Sequence, residues 1–259
     1  PIEAALRLRI KEHWHTYWRN PGDSGLPTKL DWRLPAGFSA GSIEWPYPKR
    51  LPLGPLMNFG YEGEVLHLVK IATPKDWPVG KKAELRAKTE WLVCSDVCIP
   101  ESADLTLSIG ASTAPQKQSK FEGAFVSTID ALPRKGPPAL FDIKGGKLHL
   151  QAAALPGGDA VTFFPYAEGL VSPAAPQTHV GSDRAITLSA SLADPPLAEP
   201  KTVEGILVSE AGWRQPGGGK AIEVSAIRGA VTPATAGQVA DTAATLGLAM
   251  ALLLGAAGG

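Results

Sequence analysis

Cysteine is nearly absent from this chain of 259 residues; there are two, Cys94 and Cys98. That excludes a fold stapled by a network of disulfides. Neither charge is in excess, with 25 Lys and Arg against 25 Asp and Glu, so nothing in the totals points to a nucleic-acid surface. No fixed-period repeat is evident. Trp14, Trp18, Trp32 and Trp45 are not accompanied by an acidic catalytic pair or a calcium motif. They read as core residues, not as a sugar-binding platform.

Glycine and proline, 28 and 24 residues, make up about a fifth of the chain. That is high for a helical protein and suits many short strands joined by tight turns. The length suggests two domains. Period-two alternation supports strands. Leu6, Leu8 and Ile10 alternate with Arg7 and Arg9, and Leu85, Ala87, Thr89, Trp91 and Val93 alternate with charged neighbours. Leu105, Leu107 and Ile109 repeat the pattern. Val65 to Ile71 is apolar on both parities apart from His67 and Lys70, as in a central strand. Arg19–Gly25, Trp45–Pro52 and Asn58–Gly63 read as turn-rich loops.

The expected architecture is all-β, with two immunoglobulin-like β-sandwich domains in tandem followed by the truncated start of a transmembrane helix. The first sandwich spans 1–112. A linker with a short helix follows at 113–138, the apolar spacing of Phe121, Phe125, Ile129 and Leu132 being helical. The second sandwich spans 139–235, with strands expected at 147–152, 160–166, 185–192, 203–209 and 221–227. The segment 240–259 ends in an uncharged run rich in Leu, Ala and Gly, just short of the roughly 20 residues of a membrane span. The chain opens on Pro1, so a preceding segment such as a signal peptide is expected.

The two cysteines stand four apart, as Cys94-Ser95-Asp96-Val97-Cys98. If the three residues between them form a hairpin loop, the cysteines face each other across the strand ends at bridging distance. Cys94 falls off the face shared by Trp91 and Val93, so it is expected to be reachable. A loop this short constrains the unfolded chain weakly, so a bridge here suits being made and broken. A structural staple or a metal pair remain the alternatives. In exchange chemistry a thiolate attacks a partner's disulfide. Cys98 is expected to form the mixed disulfide and Cys94 to resolve it. Asp96, between them, would raise a thiol pKa by charge but could also carry a proton.

His13 and His15, two apart on an expected strand, would share one face. With a cysteine, Met57 and His67 they suggest copper ligands. The plainer reading is packing at a strand end, and the expected metal and cofactor complement is none.

Four blocks occur together: His13-Trp14-His15-Thr16-Tyr17-Trp18-Arg19-Asn20-Pro21-Gly22-Asp23-Ser24-Gly25-Leu26-Pro27, Trp45-Pro46-Tyr47-Pro48, Phe59-Gly60-Tyr61-Glu62-Gly63-Glu64 and Trp91 to Pro100 around the cysteines. With them the chain resembles the N-terminal periplasmic domain of DsbD-type thiol:disulfide interchange proteins, in particular the suppressor-of-copper-sensitivity protein B (ScsB) branch. The resemblance covers most of residues 1–110. It implies a periplasmic protein-disulfide reductase module anchored to the inner membrane. Its electron donor would be a membrane-embedded core of the same protein. Its acceptors would be periplasmic thioredoxin-fold proteins, with a link to copper tolerance. It also implies a cap loop over the cysteines, here with Phe59 or Tyr61 as lid, and Tyr47 and Glu62 lining the pocket. DsbD itself spaces its cysteines more widely. The rival reading is a non-catalytic envelope or copper-handling module with a structural disulfide.

Overall fold

The computed structural model describes residues 1–113, 120–153, 160–182, 185–196, 200–213 and 219–231. The expected membrane-span start at 240–259 and residues 114–119 of the expected linker lie outside these residues. Among the described residues, no helix is long and apolar enough to cross a membrane. The chain divides into two compact units, Pro1–Leu132 and Pro133–Gly259.

Among the described residues, the first unit holds nine strands: β1 (Ile2–Arg9), β2 (Thr16–Gly22), β3 (Lys29–Arg33), β4 (Ser39–Glu44), β5 (Lys49–Leu53), β6 (Leu56–Tyr61), β7 (Glu64–Ala72), β8 (Lys82–Cys94) and β9 (Cys98–Gly110). They form three antiparallel sheets, ordered β1-β7-β4, β2-β6-β5 and β3-β8-β9. The first and third sheets face each other. Ala4, Val69 and Ile71 from one meet Leu85 from the other, with Trp32 and Ile109 packed alongside. Alternation explains this core: Ala83, Leu85, Ala87 and Thr89 are buried on β8 while the charged residues between them are exposed. The long apolar stretch at Val65–Ile71 lies in β7, the middle strand of its sheet.

Two expected loops are largely strand: Arg19–Gly22 of the first lies in β2, and the other is the stretch at Asn58. Asn58–Gly63 runs mostly within β6, the centre of the second sheet. The glycine that suggested a turn is needed there for close approach. A Cβ on Gly60 would lie 1.9 Å from the Thr16 carbonyl oxygen. Gly60→Ala is therefore expected to force β2 and β6 apart, costing about 3 kcal/mol or more. Urea unfolding of the two proteins checks this. The proline-rich stretch 45–52 forms no central strand; its ordered part, β5, is a sheet edge.

The helix α1 (Glu122–Ala131) lies where the spacing placed it and belongs to the first unit. The Tyr47 N–H donates to the Ala131 carbonyl, and the Arg7 guanidinium sits 5.3 Å from the Phe121 ring centre. Its apolar stripe is not fully used, since Ile129 is 45% exposed and Thr128 is the buried residue.

The second unit contains β10 (Arg134–Lys135), β11 (Ala139–Lys144), β12 (Lys147–Ala153), β13 (Val161–Pro165), β14 (Thr178–Gly181), β15 (Ala185–Ser191), β16 (Thr202–Ser209) and β17 (Ala221–Arg228). Hydrogen bonds link them in one path, β13-β16-β17-β11-β12-β15-β14, with β10 also on β17. Pairing is antiparallel except where β10 and β11 meet β17. Its own core gathers Phe141, Leu150, Phe163, Leu188, Leu207 and Ile222. β11 and β14 went unforeseen in the sequence; both are short, and β14 is largely exposed.

Candidate functional site: a half-buried disulfide at a hairpin tip

β8 and β9 pair without a break from Lys82–Gly110 to Cys94–Cys98. Ser95, Asp96 and Val97 close the turn, and the cysteines are joined by a disulfide with Cα atoms 4.1 Å apart. The Ser95 N–H donates to the Val97 carbonyl inside the turn.

The two sulfurs live in different surroundings. Cys94 is 0% exposed, whereas Cys98 is exposed. This corrects the expectation that Cys94 would be reachable. The parity was right, since Cys94 does sit opposite the face of Leu85, but that face is covered here. β3 ends its pairing with β8 at Glu90. Beyond it, His15 takes over as neighbour: the Cys94 N–H donates to the His15 carbonyl and the His15 N–H to the Cys94 carbonyl, both at 2.9 Å. Residues directly opposed across antiparallel strands project to one side. His15, Cys94 and Cys98 therefore form a row.

Two residues along from His15, on the same side, comes Tyr17. Its hydroxyl lies 3.8 Å from the Cys98 sulfur. A bridged sulfur carries no hydrogen, so the phenol is the donor in this contact. The Tyr17 ring is wholly buried, and Gly25 (φ +107°) is what lets the chain fold over it, since a Cβ there would fall 2.2 Å from a ring carbon. Ser24 Oγ donates to Asn58 Oδ1 at 2.9 Å, and Asn58 Nδ2 stands 3.3 Å from His15 Nε2. The His15 ring meets the Tyr17 ring edge-on at 5.1 Å. The turn that follows β2 is clamped onto β6: Asp23 Oδ2 accepts the Met57 N–H, and the Asp23 N–H donates to the Met57 carbonyl.

Burial pushes the Tyr17 hydroxyl pKa up, with Ser24 opposing. Burial lowers the pKa of His15, while the carboxylate of Glu62 pulls it the other way. Tyr17, Ser24, Asn58 and His15 are thus the polar surroundings of the pair. From the sequence, Tyr17, Ser24 and Asn58 have no expected role there and His15 only that of a candidate copper ligand, although period-two spacing from His15 to Tyr17 carried the signal.

The other expected residues are placed as follows. Asp96 is exposed in the turn. Glu62 is exposed and pairs with Lys49 at 3.3 Å. Tyr47 is half-buried, its backbone tied to α1. Phe59 is wholly buried in β6, and Tyr61 donates its hydroxyl to the Pro46 carbonyl at 2.7 Å. Alternation puts both rings on the side of β6 opposite Asn58 and Gly60. Neither is a free flap, because β6 is paired on both edges. His13 does not share a face with His15. It sits exposed in a turn at φ 67°, outside any strand. Among the described residues, no three of His, Cys, Asp or Glu are grouped to hold a metal ion.

Val97 and Ile99, the chain neighbours of Cys98, are 60% and 43% exposed, and Leu26 is 61% exposed. A depression of about 280 Å³ is lined by Leu26, Pro27, Leu92 and Pro100 together with the charged Lys29, Glu90 and Glu101.

Residues 1–109 match the family described as thiol:disulfide interchange protein DsbD, N-terminal. No curated protein sequence matches the chain. In fold the chain is similar to the crystal structure of the N-terminal periplasmic domain of ScsB from Proteus mirabilis. The TM-score is 0.60 at 18% identity, covering 88% of each chain. The family match thus covers the part of the chain that carries the bridged cysteine pair, and the structural match shows the fold. Residues 1–109 of this chain are a DsbD-type N-terminal domain, a thiol–disulfide interchange module.

Proposed function

We propose that this module is a periplasmic protein-disulfide reductase that gives up electrons through Cys98. The observation that supports it most is the asymmetry of the bridge, with Cys98 exposed and Cys94 wholly buried. In the reduced module the Cys98 thiolate attacks a partner disulfide. An S–S bond forms between the proteins, and the partner's second sulfur leaves as thiolate. Cys94, as thiolate, then attacks the Cys98 sulfur and expels the partner's first sulfur. The net change is one disulfide gained here, one lost there, and two electrons moved. A membrane-embedded core of a longer protein would reverse the change by delivering the next electron pair. The exposed Val97, next to Cys98 in the turn, offers a partner of thioredoxin fold an apolar contact beside it. Anchoring to the inner membrane and a link to copper tolerance belong to the same proposal.

The test is equilibration of the chain in glutathione or dithiothreitol buffers, with free Cys94 and Cys98 quantified by alkylation and mass spectrometry. A reversible two-electron transition with the fold intact is expected. Resistance to reduction below about −300 mV until the protein unfolds would mean a structural staple. The fold should tolerate reduction, because closing so short a loop is worth about 2 kcal/mol. A thermal melt of the reduced protein checks that figure.

A further inference from the structure

The two facing sheets of the first unit do not end together. Ala4 of β1, an edge strand, meets Leu85 of β8, which is the middle strand of its sheet. β9 therefore extends one strand beyond the sheet that faces it, and its inner side is left open. Leu85 is 1% exposed, but Leu107, directly opposite it on β9, is 46% exposed and Leu105 is 40% exposed. A groove of about 510 Å³ results, with Leu8 and Ile10 on one side and Ile99 and Leu105 on the other. Among the described residues, β1 pairs only with β7 and β9 only with β8, so each keeps one open edge.

The two open edges are complementary. The Ile10 N–H donates to the Gly63 carbonyl opposite it, so even-numbered residues of β1 bond β7. Ala5, Arg7 and Arg9 thus turn their backbone groups to the open edge. Cys94 exchanges both its backbone bonds with His15, away from β9. Cys98 opposite it, and with it Ser102, Asp104 and Thr106, thus face the other open edge. On both strands these are the residues of the outer face, since Leu6, Leu8, Leu105 and Leu107 belong to the inner one. The strands also run in opposite senses. His15 follows Ile10 by five residues and bridges Cys94, so β1 runs toward the cysteine turn and β9 runs away from it. Charge is opposite as well. Ala5–Lys11 carries Arg7, Arg9 and Lys11 and no carboxylate, while Pro100–Gly110 carries Glu101 and Asp104 and no Lys or Arg.

We propose that a second copy of this chain fills the groove, each β9 adding to the open edge of the other copy's β1. A two-fold axis along the strands keeps their direction, so the incoming β9 is antiparallel to β1. Backbone pairing then keeps both apolar faces inside, and the exposed stripes of the two β9 strands meet across the axis. Asp104 comes to the edge that carries Arg7 and Arg9 of the other copy. The contact occurs twice and closes, so it yields a dimer and not a filament. Pro100 has no N–H, so pairing begins at Ser102 and leaves Cys98 outside it.

Sedimentation velocity of the full chain is expected to show a monomer–dimer equilibrium. Amide exchange, followed by NMR, should show protection of Ser102, Asp104 and Thr106 that rises with chain concentration. Leu105→Lys, at a half-exposed site, should weaken the dimer about 100-fold, because two copies of the contact are lost. Asp104→Arg should weaken it about tenfold. Adding Arg9→Glu to that same chain should restore it, which a merely structural effect would not do. A chain that stays monomeric overturns the proposal, as does a dimer that both substitutions leave intact. Amides protected equally in the monomer would mean that the chain covers its own edge. Protection that appears only when a thioredoxin-fold protein is added would assign the groove to that partner. Either result also overturns the proposal.

Discussion

With Cys94 replaced by Ala, the reduced chain is expected to form a covalent adduct with a thioredoxin-fold protein whose single cysteine is activated as an aromatic disulfide. With Cys98 replaced instead, the remaining thiol should react on the order of 100-fold more slowly, because it must wait for a local opening of about 3 kcal/mol. The reason is the environment of Cys94. Its side chain has no exposed surface, and both its backbone groups are engaged by His15. Reaching its sulfur means separating β8 from the segment before β2. Cys98 has no such barrier and stands between the exposed Val97 and Ile99. The ratio of initial rates, followed by release of the aromatic thiol, decides the matter. Equal rates would mean that the inner sulfur is as available as the outer one, and the division into attacking and resolving thiols would fail.

Acid should weaken the first unit through a residue that takes no part in the exchange chemistry. His67, in the middle of β7, has no exposed surface, and neither ring nitrogen has a hydrogen-bond partner. Trp45 and Tyr61 meet it edge-on at 4.7 and 5.6 Å. Burial lowers its pKa from 6.5 to about 3. Between those values the unfolded chain takes up a proton that the folded chain refuses. Stability therefore rises with pH across this window and is lost as pH falls. The loss is about 1.4 kcal/mol per pH unit below 6.5, levelling off near 3. Over the whole window that is on the order of 4 to 5 kcal/mol, a large part of the stability of an ordinary domain. Urea midpoints at pH 7 and pH 4 measure it. His67→Leu, close in volume and flanked by Leu66 and Leu68, should remove most of this slope. A slope unchanged in His67→Leu would assign the acid sensitivity to other groups.

Much of the first unit could be read from alternation because its strands each present one face to a core. β8 is the clearest case, with every second residue buried from Ala83 to Thr89. The facing of Cys94 and Cys98 followed from the three residues between them. What alternation cannot report is what covers the other face. Cys94 was placed on the correct side of β8, yet that side is closed by His15 and Tyr17, some 80 residues earlier in the chain. Turn residues misled for a related reason. Gly60 and Gly63 suggested a loop, but the first serves a close crossing of two strands and only the second, at φ 71°, turns the chain. His13 failed as a strand residue because its backbone is left-handed, which nothing in the alternating pattern signals. The polar groups Tyr17, Ser24 and Asn58 come from β2, its following loop and β6. A single sequence holds no local mark of such a meeting.

The cysteines lie only four residues apart in the chain. Stretched out, that segment would span about 14 Å, against the 4.1 Å between their Cα atoms in the bridge. Opening the bond thus lengthens the fully extended polypeptide by only about 10 Å. Under tension, oxidised and reduced forms would yield almost the same contour. A module joined at both ends to other parts of a machine can change its electron content without slackening the tether.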